Sequence, residues 1–473
     1  MPELRIDAQK ETSRIETGLE LKAIARKLYD PKNEGQMVTL GSDGYKPFLA
    51  RSRSLLTSST PIFEAGFETD GAQVTADILM PSVQVGNRAW RLIHVRSSTI
   101  VRDHHHDDIA VQAFVTRRAG VPLISIALAH IDSNWTYRGN KNYHGLLVES
   151  DMTSKAFGRD NEIRDWIWDA KKVLNSKEEP TRAMGLHCND PHVCGFQQHC
   201  RSQEQPAEYP VNWLPRSPSN DLRAALDIPG TNDMRQVPNS LLNERQRRVK
   251  EYTLSGAVFF DGRSAAADLA RHTLPAAFIA FETIQFALPT WPNTRPFQPV
   301  PFQFSIHWLG RQPELEHDAF IDLSGNDPSQ AFAEALISAC GKSGTIFAYN
   351  AGFEMSRIRE LADRFPSMRN ALMSINERMV DLLKVAELRY YNPIQEGSWS
   401  LKKLLPAIAP EMMHERLKGI KDGVMATNAY LDAIEPATPI AKKDAIKEDL
   451  LNYCRLDTLA MVELWHFFSG KSQ

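Results

Sequence analysis

Cysteine is scarce: five in 473 residues, none before Cys188, and three of the five packed between Cys188 and Cys200. That is not the even, dispersed set a secreted disulfide framework needs, so a reducing compartment is expected. Long apolar runs are missing as well, with nothing of about 18 consecutive apolar residues that would span a bilayer. The opening stretch "MPELRIDAQKETSRIETGLELKAIARKLYD" is charged and amphipathic and has no apolar core of signal-peptide type. A cytoplasmic protein without a membrane partner is the expectation. Excess charge is absent too: 55 basic against 58 acidic residues leave a net charge of -3. This excludes a histone-like basic protein, but not an enzyme that grips a nucleic acid through a local patch. There is no internal repeat and no low-complexity tract.

What is present is length and a mixed pattern. The chain can hold two or three domains, each burying its own core. Leu19, Leu21, Ile24, Ala25 and Leu28 recur at near-helical spacing and predict one surface helix. Short strands follow in "PIFEAGFET", "AQVTADILMPS" and "AWRLIHVRSST", then a helix in "DDIAVQAFVTRRAG" and a strand in "LISIALAHI". The Pro- and Ser-rich "SQEQPAEYPVNWLPRSPSND" reads as a linker. From about residue 274 the order is three strands, a helix, a strand and a helix, which predicts a mixed sheet flanked by helices. The expected organisation is an α/β domain over 1–200, a linker with connecting helices over 201–270, and a second α/β domain over 271–473.

Four acids of the second domain fall where strand and helix ends meet: Glu282, Glu354, Asp381 and Asp457. Phosphodiester hydrolysis with two divalent ions needs several hard oxygen ligands, because attacking and leaving oxygens are stabilised together. Tyr453 precedes Asp457 by one helical turn, so both share a face, and a phenol there can position the attacking water. Taken alone, a helical Tyr and Asp at this spacing are more often a core residue and a surface residue.

The ordered segments "FIAFET", "FAYNAGFE", "SWSLKKLLP" and "NYCRLDTLAM" resemble a DnaQ-like 3'-5' exonuclease of the DEDD group, tyrosine type, with an RNase H-like sheet. The match is closer to the bacterial family known as domain of unknown function 2779, whose "TRPxQxxPFQ" pattern is similar to "NTRPFQPVPFQFS" here. This resemblance implies Mg²⁺ or Mn²⁺ held by Glu282, Glu354 and Asp457, water oriented by Tyr453, and support from Asp381. It also implies an aspartate where this chain has Ala280. A methyl group cannot ligate a metal, so the chain is either an introduced inactive variant or a natural member that has lost hydrolysis. Arg295 and Asn350 are candidates for substrate contacts; a solvated arginine and a helix N-cap are the plainer alternatives.

In the N-terminal half, Glu64, Asp77, His94, Arg96 and Gln112 follow the order of a PD-(D/E)xK core and resemble RecB-like nucleases of the CRISPR-associated kind. The family-like "EVKSS" is "HVRSS" here, and a guanidinium cannot serve as a base, so this site is expected to be degenerate. In "HHHDD" a solvated helix start with Asp107 or Asp108 near the cap is expected. Cys188, Cys194 and Cys200, with His187, His192 and His199 among them, suggest a soft-metal site. The RecB-like resemblance implies a 4Fe–4S cluster, for which a fourth, N-terminal cysteine is lacking; Zn²⁺ completed by a histidine, or buried free thiols, are the other readings. Cys340 and Cys454 are expected to pack helices. The expectation is therefore a metal-dependent nuclease of 3'-5' exonuclease type, acting on single-stranded 3' ends of DNA or RNA and weakened by Ala280. A catalytically degenerate nucleic-acid-binding or assembly protein is the alternative.

Overall fold

The computed structural model describes residues 4–471, apart from 7, 8, 85, 183, 190, 205, 216–218, 227, 229, 312, 313 and 413–418. The chain is mixed α/β and divides into two compact units: Met1–Gln203 with Phe286–Gln298, and Glu204–Gln285 with Pro299–Gln473.

The first unit runs α1 (Gln9–Tyr29), β1 (Gln36–Met37), α2 (Tyr45–Leu55), β2 (Ile62–Thr69), β3 (Ala72–Gln84), β4 (Asn87–Arg96), α3 (Asp103–Arg118), β5 (Leu123–Ile131), β6 (Leu147–Asp151), α4 (Thr153–Phe157), α5 (Asp160–Leu174) and α6 (Gln197–Gln203). Among the described residues its sheet has the order β1-β2-β3-β4-β5-β6. Strands β2, β3 and β4 form an antiparallel meander. Strand β5 pairs parallel to β4, which requires a crossover, and α3 supplies it. The sheet is buried on both faces: Phe67, Leu79, Trp90 and Leu92 pack under α3 with Ile109 and Phe114, while Phe63, Ile78, Ile93 and Val95 pack with Leu21 and Ala25 of α1. Leu19, counted in the apolar spacing of α1, is instead 61% exposed. The segment 286–298 belongs to this unit: Asn293 donates its N–H to the Tyr137 carbonyl at 2.8 Å and Tyr137 donates to Thr294 at 3.0 Å, while Leu288 joins the α1-side core.

The second unit runs α7 (Asn220–Leu226), α8 (Glu244–Ser255), β7 (Phe259–Phe260), α9 (Gly262–Leu269), β8 (Ala276–Ile284), β9 (Val300–Leu309), β10 (Leu315–Ile321), α10 (Ser329–Cys340), β11 (Thr345–Ala348), α11 (Gly352–Arg364), α12 (Arg369–Glu377), β12 (Met379–Asp381), α13 (Leu382–Arg389), β13 (Tyr390–Tyr391), α14 (Leu401–Ile408), α15 (Gly423–Ile434) and α16 (Ile440–Ser469). The main sheet has the order β10-β9-β8-β11-β12. Its first three strands in sequence are antiparallel neighbours, and β11 and β12 continue parallel to β8. Successive side chains of β8 alternate between faces. Ala277, Ile279 and Phe281 enter the core built with α10, α11 and α12, and Ala276, Phe278 and Ala280 face the core built with α16.

The stretch read as linker and connecting helices, 201–270, is packed into this second unit from residue 204. Leu214, Leu222, Met234, Val237 and Leu242 form a small core there. Thr253 of α8 and the Tyr391 hydroxyl lie 2.7 Å apart, and Arg245 makes a bidentate bond to Glu387 at 2.7 and 2.8 Å. Gly397 has φ +73°, and a Cβ there would stand 1.5 Å from the Trp213 carbonyl oxygen. Gly397→Ala is therefore expected to destabilise the protein by about 3 kcal/mol through overpacking and a disfavoured backbone. Urea unfolding checks this, and an unchanged midpoint would refute the close packing of 213 on 397.

Candidate functional site

Ligands of open α/β sheets collect at the carboxyl ends of parallel strands, where neighbouring connections diverge. In the second unit those ends carry Glu282 on β8, the turn 349–351 after β11, and Asp381 closing β12. Strand β11 pairs with β8 only as far as Phe278, so the last residues of β8 run on beyond it. The carboxyl of Glu354, in the first turn of α11, lies near enough to the Phe281 backbone N–H for that dipole to favour its charged form. Because β8 has a two-residue period, Ala280 and Glu282 project to the same face, the face that α16 crosses. Cys454 of α16 places its Sγ 3.6 Å from the Ala280 carbonyl oxygen.

Glu282 and Glu354 come within electrostatic reach of each other at this point. Burial, followed by the Glu354 charge, pushes the Glu282 carboxyl up to about 7. Burial likewise pushes Glu354 up to about 7, helped by Asp381 and opposed by backbone N–H groups. Glu354 is 6% exposed, and its Oε2 is buried without a hydrogen-bond partner. Arg357 offsets part of the charge on Glu354, but two desolvated carboxylates within electrostatic reach of each other still favour a proton or a cation, and the free Oε2 leaves an acceptor for either. In donor type and charge the pair fits a hard divalent ion. Among the described residues, however, no group of three or more His, Cys, Asp or Glu side chains is gathered closely enough to hold a metal ion. The side chain that shares the face of Glu282 two residues earlier is the methyl of Ala280.

The other predicted residues fall into two sets. Asp381 caps α13 by accepting the Leu383 N–H at 3.1 Å, and also accepts the Asn350 N–H at 2.9 Å. It ties the β11 and β12 ends together. Asn350 itself sits at φ +65° and precedes Ala351, the cap residue of α11. Tyr453 and Asp457 share one face of α16 and line a cavity of about 440 Å³ with Tyr349, Asn350, Trp399 and Lys402. The Tyr349 hydroxyl donates to the Trp399 carbonyl, which fixes one wall. Lys402, the only cation among the lining residues, was not picked out from the sequence, although it stands inside the quoted "SWSLKKLLP". Arg295 lies on the segment 286–298 of the first unit, its N–H bonded to Gln298 Oε1 at 2.9 Å.

In the first unit, Glu64, Asp77, His94 and Arg96 do converge. His94 Nδ1 lies 2.9 Å from Asp77 Oδ2, Arg96 Nη1 3.7 Å from the same oxygen, and Val95 donates its N–H to it at 2.8 Å. A residue that the sequence did not single out joins them: Lys22 of α1 bonds both acids. Gln112 keeps its Oε1 buried without a hydrogen-bond partner. In the "HHHDD" run the capping role goes to His105, whose Nδ1 accepts the Arg102 N–H at 3.1 Å, while Asp107 and Asp108 pair with Arg159 and Arg96. Burial and the neighbouring His104 lower His105 to about 4, so it stays neutral and able to accept.

Cys188, Cys194 and Cys200 are free thiols. Burial and the other two sulfurs raise the Cys200 thiol. His187 Nε2 lies 3.6 Å from Cys188 Sγ, His199 contacts Glu179 at 2.8 Å, and His192 packs edge-on to His104. Among the described residues the trio is not gathered into a metal-binding group. Cys340 and Cys454 are buried helix residues.

A family model described as a domain of unknown function (DUF2779) matches residues 277–400. That span holds Ala280, Glu282, Glu354 and Asp381 and ends before Lys402, Tyr453 and Asp457. No curated protein and no solved structure matches the chain, and no described helix is long and apolar enough to cross a membrane.

Proposed function

We propose that the second unit is a DnaQ-like, RNase H-like 3'-5' exonuclease domain acting on single-stranded ends of DNA or RNA, weakened in this chain by Ala280. The observation that carries the reading is the buried Glu282–Glu354 pair with an unpartnered Glu354 oxygen, facing a helix that bears Tyr453 and Asp457. The strand order also supports it: three antiparallel strands and then two parallel to the first, as the resemblance leads one to expect. A bound Mg²⁺ or Mn²⁺ would supply the positive charge that stabilises the attacked phosphodiester. Glu282 and Glu354 would anchor it, and Asp457 of α16 would add a third carboxylate. Tyr453 orients the attacking water, Lys402 pairs a backbone phosphate, and Asn350 holds the β11 turn against Asp381.

The rival reading is a catalytically degenerate nucleic-acid-binding or assembly protein. It is favoured by departures from the family patterns in two separate units, Ala280 for an acid in one and His94 for an acid with Arg96 for a lysine in the other. The test is polarity. An active chain, or its Ala280→Asp variant, shortens a 5'-labelled single strand to a ladder and releases the label of a 3'-labelled strand as mononucleotide. Strands left at full length by the restored variant, yet retarded on a gel, would leave the binding reading in its place.

A further inference from the structure

The charge cluster of the first unit stands independently of the exonuclease reading. Phe63 pairs with Ile78 and Ala65 with Ala76, which brackets Glu64 against Asp77 on adjacent strands. Lys22 Nζ sits between them, 2.6 Å from Asp77 Oδ1 and 3.2 Å from Glu64 Oε2. Glu64 adopts φ +56° in the middle of a strand, a strained conformation for a non-glycine residue that persists only where its surroundings impose it. Asp77 is 3% exposed, and its second oxygen is already taken by the Val95 N–H and approached by His94.

We infer that the Lys22 ammonium occupies the place between Glu64 and Asp77 that a divalent cation would otherwise take, so that this centre is neutralised from within the chain and binds no metal. An ammonium is a compact cation with three donors, and it can bridge two carboxylates as a small ion does. Lys22 bonds both acids, and Arg96, which also pairs with Asp108, adds positive charge 3.7 Å from Asp77. A further double charge would meet repulsion in a desolvated pocket. The donor set thus does not fit a metal while α1 is docked. The first unit then keeps its fold without an ion and serves as a non-hydrolytic module.

The test is Mn²⁺ binding, read by the electron paramagnetic resonance of the free ion, in a Glu282→Gln/Glu354→Gln background that silences the second unit. With Lys22 present, no Mn²⁺ is expected to bind. Lys22→Ala should take up one Mn²⁺ per chain, and adding Asp77→Asn should abolish that uptake. If Lys22→Ala is unfolded, millimolar Mn²⁺ should restore its far-ultraviolet circular dichroism. Uptake with Lys22 in place that Asp77→Asn removes would overturn the inference. So would a folded Lys22→Ala chain that binds nothing, or an unfolded one that Mn²⁺ does not restore.

Discussion

Ala280→Asp is expected to raise Mn²⁺- or Mg²⁺-dependent release of 3'-terminal nucleotides by at least about 100-fold. Losing a group that only supports a ligand costs about 10- to 100-fold in metal affinity or activity, and a missing ligand costs no less. The geometry for the gain is in place. Position 280 shares a face with Glu282, and its backbone is held against α16 by Cys454, so a carboxyl there projects toward the Glu282–Glu354 pair. In the restored chain, Asp457→Asn and Glu354→Gln should each return activity to the starting level, and Tyr453→Phe should lower the turnover rate more than substrate affinity. A folded Ala280→Asp chain with no activity in either metal would sink the exonuclease reading. A restored chain indifferent to Asp457→Asn would instead show that the α16 acid is not part of the centre.

The core of this site was legible because its signals are local. Alternation in "FIAFET" puts residues 280 and 282 on one face, and the strand-to-helix order in "FAYNAGFE" brings Glu354 to the end of the next strand. What was not legible depends on partners far along the chain. Lys22 meets Glu64 across a separation of 42 residues, and helical spacing records only apolar positions, so an ammonium directed at a sheet leaves no trace in the pattern. Arg295 was read beside the exonuclease motifs that flank it. Nothing in a loop's composition says which core it joins, and Leu288, Asn293 and Thr294 carry this one into the first unit. The Pro- and Ser-rich stretch after Cys200 looked like a linker for the same reason. Its few apolar residues suffice for a small core once α8 and the Tyr391 turn are beside them. Asp381 was visible as an acid at a strand end, but its work as a cap and cross-strand tie follows only from the placement of Asn350 and Leu383.

The buried acid pair should also govern stability, with a sign opposite to that of most carboxylates. Glu282 and Glu354 titrate near 7 in the folded chain, against an ordinary glutamate value of about 4.3. Between those values the folded state binds more protons than the unfolded one, so stability is fully present below the lower value and falls as pH rises through the window. His307, lowered to about 4 by burial and by His317 and Arg455, pulls the other way, since the unfolded chain takes up its proton first as pH drops. A comparison with Glu282→Gln cancels that contribution. At pH 8 this variant should be more stable than the parent by on the order of 3 kcal/mol, from about 1.4 kcal/mol per pKa unit, and the difference should vanish near pH 4. Millimolar Mg²⁺ or Mn²⁺ at pH 8 should raise the parent's calorimetric transition by several degrees, leave Glu282→Gln/Glu354→Gln unmoved, and have little effect at pH 5, where protons already neutralise the pair. A parent transition that is flat in pH relative to Glu282→Gln would mean that the two carboxyls are not confined together, and the cation site would lose its physical basis.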